Sequence, residues 1–92
     1  MAVHLLTYDL VPPGQDYPNL LDELRRIGAV RLQKSVWLVE VPQTAEQLLT
    51  AIWSYLDSND RLFVLSIQPE AYEWIGKRML PPSAAWLKAR RP

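Results

Sequence analysis

AVRLQKSVWLVEV, residues 29–41, is the stretch on which the fold turns. Its apolar and polar residues alternate over most of its length, and it is rich in Val and Trp, which marks extended chain rather than helix. We read it as two strands joined by a tight turn or bulge near residues 33–35. No Asn-Gly or Asp-Gly pair signals a hairpin there, so one long bent strand is the alternative.

Working outward, the segment before it has helical spacing. Leu20, Leu21, Leu24 and Ile27 fall on one face, while Asp22, Glu23, Arg25 and Arg26 fall on the other. Pro18 suits the first turn of that helix, where its missing N–H would have no partner anyway, and Gly28 suits its end. After the central stretch, Pro42 stops the run. Thr44 then opens a second helix, and Gln47 three residues on completes a capping box. Leu48, Leu49, Ile52, Tyr55 and Leu56 form its buried stripe, and Asp57, Ser58 and Asn59 end it. RLFVLSI (61–67) reads as a last buried strand. AVHLLTYD (2–9) is too continuously apolar for an amphipathic surface helix and reads as a central strand buried on both faces. Pro12, Pro13 and Gly14 force a loop after it.

The order strand–helix–strand–strand–helix–strand is a split βαβ arrangement. Right-handed crossovers turn it into a four-stranded antiparallel sheet with two helices on one face, the ferredoxin-like α+β fold, with the first and third strands central. The expected division is a domain over residues 1–67 and a C-terminal aromatic-basic extension over 68–92 that packs on the body or on a partner. The free face of the sheet needs cover, either from a second copy of the chain or from the tail folding back.

Ninety-two residues, 49% apolar and 22% charged, describe one small globular domain with a modest core. The chain has no cysteine, which excludes disulfides, thiolate zinc sites and a thiol nucleophile. No apolar run approaches the roughly 18 residues of a membrane span, and Met1 leads directly into a strand; the expectation is a soluble, cytoplasmic protein without membrane contact. A net charge of zero conceals a segregation. Residues 1–76 carry all ten acids and five bases, and residues 77–92 carry five bases and no acid, giving about −5 and +5. Segregation of this kind keeps nucleic acid among the partners.

Asp9 is the leading candidate for chemistry. It closes a central strand at its carboxyl end, and a carboxylate there can hold Mg²⁺ or Mn²⁺, which prefer oxygen ligands. One carboxylate is too few for a site, but a twofold axis would supply a second. The plainer alternative is a turn-starting Asp bonded to its own backbone. His4, the one histidine, alternates to the opposite face of the strand and reads as a core residue. The three glycines are isolated and form no phosphate loop, and Ser35 serves the turn. Arg25, Arg26, Arg31 and Lys34 cluster around the end of the first helix and the second strand as a phosphate-contacting patch, or as solvated charge beside Asp22 and Glu23. In the tail, Tyr72, Trp74, Met79, Leu80 and Trp86 interleave with bases. Pro81 and Pro82 break it, and Ser83 is placed to cap a short helix ending in residues 88–91. The Trp residues suit a flap over the sheet. Lys88, Arg90 and Arg91 are the tail's nucleic-acid-binding candidates.

Three stretches, LLTYDL (5–10), VRLQKSVWLVEV (30–41) and NDRLFVLSI (59–67), together resemble the CRISPR-associated Cas-two family of small ferredoxin-like spacer-acquisition proteins. The sharpest part is QKSVW (33–37) downstream of a strand-ending YD. LPPSAAWL (80–87) is similar to the ending of a divergent Cas-two-like group. The resemblance implies a homodimer whose sheets pack face to face, with Asp9 as the family's strand-end aspartate. Two such carboxylates would position Mg²⁺ or Mn²⁺ and a water for phosphodiester hydrolysis, making Asp9 both the catalytic and the metal-binding residue. It equally implies a non-catalytic scaffold holding an integrase dimer against DNA. The loop LVPPGQDY (10–17) departs from the family in having no Lys or Arg and in carrying Asp16. A non-enzymatic protein- or DNA-interaction module outside CRISPR, and kinship with VapD-type toxin ribonucleases of the same fold, are the alternatives.

Overall fold

The computed structural model describes residues 1–11, 17–67 and 74–90. Its elements are β1 (Ala2–Asp9), α1 (Pro18–Arg26), β2 (Val30–Gln33), β3 (Val36–Val41), α2 (Ala45–Trp53), β4 (Arg61–Ile67) and α3 (Pro81–Lys88). The four strands form an antiparallel sheet in the order β2-β3-β1-β4, with β1 and β3 central as expected for a ferredoxin-like α+β fold.

The 29–41 stretch is two strands, and both devices foreseen at its middle are present. Lys34 and Ser35 make the turn, and the register slips by one residue between Arg31 and Gln33. That bulge lets Val30 face Leu38 and Arg31 face Trp37 without an Asn-Gly turn.

Helix ends follow local chemistry. Pro18 stands in the first turn of α1, and Gly28 follows its end at φ 81°, a conformation that favours glycine. Thr44 and Gln47 form the reciprocal capping box of α2. That helix stops at Trp53, earlier than its apolar stripe suggested, yet Tyr55 and Leu56 still pack on the core from the turns beyond it. Ser83 does not cap α3. Pro81 and Pro82 occupy the first turn, where a missing N–H does no harm, and Leu80 takes the cap position. The buried Ser83 hydroxyl donates instead to the Leu80 carbonyl at 2.9 Å.

One face of the sheet meets α1 and α2. Leu6 and Tyr8 of β1 and Trp37, Val39 and Val41 of β3 close on Leu20, Leu24, Leu48 and Ile52 in a single cluster. The other face carries Val3, Leu5, Thr7 and Asp9 of β1, opposite Arg61, Phe63, Leu65 and Ile67 of β4. It is covered unevenly. Helix α3 packs along β2, Arg90 just after it reaches Glu40 of β3, and Leu38 on this side is fully buried. The β4 half is left open, with Phe63 at 57% and Leu65 at 48% exposure. So β4 is an edge strand with one bare face rather than the buried strand its composition suggested. Apolar residues alone do not say which side of a sheet finds a partner.

Candidate functional site

The YD and QKSVW motifs meet in space. The Tyr8 N–H donates to the Ser35 carbonyl at 3.2 Å, and the Trp37 indole Nε1–H donates to the Tyr8 hydroxyl at 3.1 Å. Tyr8 and Trp37 are both buried, so each satisfies a polar group of the other that would otherwise be stranded in the core. The Arg31 guanidinium lies over the Trp37 ring, 4.6 Å from its centroid. The motif pair therefore holds the last turn of β1 from below.

Asp9 follows on the opposite, open face. It is exposed, lies across from Arg61 in the β1–β4 register, and borders a shallow depression of about 120 Å³ lined by Thr7, Tyr8, Asp9, Arg61, Leu62 and Phe63. Among the described residues its carboxylate enters no hydrogen bond or ion pair. No cluster of three or more His, Asp or Glu side chains able to hold a metal forms among the described residues. Among the described residues lining the depression Asp9 is the one carboxylate, which fits a divalent cation only as part of a site completed by further oxygen ligands, such as a second copy's carboxylate and water.

Behind Asp9 stands a group that composition did not single out. Asp60, only 5% exposed, accepts from the Val11 N–H at 2.8 Å through Oδ1. Its Oδ2 accepts from the Asp57 N–H at 2.8 Å and from the Tyr17 hydroxyl at 3.0 Å. Tyr17 also lies 3.1 Å from Asp57 Oδ2. Burial by itself would raise the Asp60 carboxyl, but the three donors outweigh it and hold the group below the usual carboxylate range. Burial, with hydrogen bonds to the two carboxylates, pushes the Tyr17 phenol up to about 12. The sequence signal was faint: an Asp at the end of DSND (57–60), just before a strand, where the preceding residues already explained the turn.

His4 lies within the core. Its Nε2–H donates to the Gln43 carbonyl at 2.8 Å, and Nδ1 accepts from the Ser66 hydroxyl at 2.9 Å, the tautomer being assigned from these partners. With both nitrogens engaged and no solvent exposure, it is structural, as its place in the strand suggested.

The basic candidates differ in their surroundings. Arg25 and Lys34 are exposed, at the end of α1 and in the β2–β3 turn. Arg26 is tied to Glu23 by a two-pronged ion pair that lowers the glutamate and raises the guanidinium. Arg31 stacks on Trp37. In the tail Lys77, Arg78 and Lys88 are exposed. Arg90 instead stacks on the Trp86 ring at 3.4 Å and pairs with Glu40 at 3.0 Å, which fastens α3 to the sheet. Arg91, like Asp16 and Tyr72, lies outside the described residues.

Fold and site together define a class: a small ferredoxin-like α+β protein that presents one strand-end carboxylate beside an open apolar strip of its sheet. The family model described as CRISPR associated protein Cas2 matches residues 1–74, and the chain belongs to that family. Its role is accordingly CRISPR-associated, and α3 lies wholly beyond the matched residues. Among the described residues no helix is long and apolar enough to cross a membrane.

Proposed function

We propose that the protein works as a homodimer that acts on or organises nucleic acid, with two copies joined through the open β1–β4 face. The observation that carries this reading is the coincidence of Phe63, Leu65 and Asp9 on that one face. Half-exposed large apolar groups on a sheet are an expected site of association. A twofold contact there would make each Asp9 the neighbour of its copy and supply the carboxylate that one chain lacks. Asp9 and its mate would hold Mg²⁺ or Mn²⁺, and the ion would supply charge neutralisation and an activated water for phosphodiester hydrolysis. The protein's own part is to present the two carboxylates beside the apolar Phe63 and Leu65. Asp9→Ala is expected to abolish metal-dependent cleavage of RNA or DNA while the protein stays folded and dimeric. Equal cleavage by the variant removes Asp9 from the mechanism.

A second reading, a non-catalytic scaffold that docks duplex DNA or an integrase, is favoured by a separate observation. Among the described residues the exposed bases of the tail (Lys77, Arg78 and Lys88) form no ion pair, whereas Arg90 is spent on Glu40. This reading expects salt-sensitive DNA binding that survives Asp9→Ala. Binding indifferent to salt would refute it.

A further inference from the structure

One side chain holds the chain both just after β1 and just before α1. Val11, two residues beyond Asp9, donates its N–H to Asp60, and Tyr17, the residue before α1, donates its hydroxyl to the same carboxylate. A third donor, the Asp57 N–H, holds the carboxylate in place from the α2–β4 turn. Asp60 also immediately precedes Arg61, the cross-strand partner of Asp9. An ionised Asp suits this position because it accepts through two oxygens and donates nothing, so three N–H and O–H groups can converge on it. Asp9 has no comparable support of its own. Its side chain is exposed and unbonded among the described residues, so its direction is set by the backbone on either side. A strand end is where a sheet opens first.

We infer that Asp60 is the positioning residue for Asp9. By fixing the Val11 N–H and the start of α1, it holds the end of β1 in register with Arg61 and keeps the Asp9 carboxylate presented on the open face. The inference rests on the reading of Asp9 as a metal ligand. It assigns Asp60 no contact with metal or substrate.

The test uses the full chain, NMR and Mn²⁺ alone as the probe. In Asp60→Ala the Val11 amide is expected to exchange on the order of 10- to 100-fold faster, the loss of one hydrogen bond to a charged acceptor, while the Leu6 amide in mid-strand keeps its rate. Mn²⁺-induced broadening at Asp9 is expected to weaken in parallel. Asp60→Asn keeps an oxygen for the Val11 N–H but sets an amide NH₂ against the Asp57 N–H, so it is expected to restore only part of the Val11 protection and of the broadening. Tyr17→Phe should leave Val11 protected. Equal acceleration at Val11 and Leu6 would show that Asp60 only stabilises the fold, and unchanged broadening with Val11 released would show that the anchor does not position Asp9. Either result overturns the inference. Absence of Mn²⁺ broadening at Asp9 in the unaltered protein is distinguishable from both: it overturns the ligand reading, and the positioning role falls with it, even where Val11 exchange reveals the anchor.

Discussion

Replacing Phe63 with alanine removes a large apolar group from the open face while leaving the core beneath it untouched. Phe63 is 57% exposed and outside the helix-side cluster. An aromatic side chain of roughly 200 Å² would therefore leave about 110 Å² for a partner to bury. At about 25 cal/mol per Å² that is about 3 kcal/mol for each copy, and a twofold interface contains the residue twice. Association returns only part of an area term, because ordering and desolvation oppose it. Taking half of the doubled figure gives about 3 kcal/mol, a weakening of the dimer by roughly 100-fold. Sedimentation equilibrium over a range of concentrations reads this directly. Thermal unfolding of dilute, dissociated protein should change little, since surface substitutions cost about 0.5 kcal/mol. A dimer constant unmoved by Phe63→Ala, or an unaltered protein that stays monomeric at high concentration, refutes association through this face.

Trp37→Phe takes away the donor to the Tyr8 hydroxyl and leaves a small void under the site, with an expected loss of about 2–3 kcal/mol and a Tm lower by roughly 10–20 °C in a thermal melt. An unchanged Tm would show that the link between the two motifs is not structural. Tyr17 titrates near 12 when folded, against an unfolded value of 10.0, so the stability it lends is fully present below pH 10 and is lost as the pH rises towards 12. Ultraviolet difference titration of the protein against Tyr17→Phe should place this phenol near 12; a value near 10 would mean that its bonds to Asp57 and Asp60 are absent in solution. Replacing Lys77, Arg78 and Lys88 by glutamine should reduce the slope of log K against log salt for duplex DNA by about 0.9 for each base that contacts phosphate, whereas an unaltered slope would exclude the tail from binding.

The parts of the site that follow from neighbours in the chain were legible from residues alone. Strand β1 and its terminal Asp9, the capping box at Thr44 and Gln47, the glycine stop at Gly28 and the interruption near residues 33–35 all depend on interactions across a few positions. Ser83 was misplaced because Pro81 and Pro82 read equally as a break or as a first helical turn, and only packing of α3 on β2 distinguishes them. The Asp60 anchor was missed for a different reason. Its donors lie 49, 43 and 3 residues away, and only the closest of them leaves a local pattern.

The sequence by itself determined the order of elements, the antiparallel split βαβ arrangement and the place of Asp9 at the end of a central strand, because periodicity and capping act over a single turn or pleat. Tertiary structure decided which sheet face stays open, which bases are spent within the chain and what holds the strand end. Helix α3 covers the β2–β3 half and not the β4 half, Glu40 captures Arg90, and Asp60 draws together groups from three parts of the chain. Alternation says that two faces exist. Only the packing of distant segments says which of them is left for a partner.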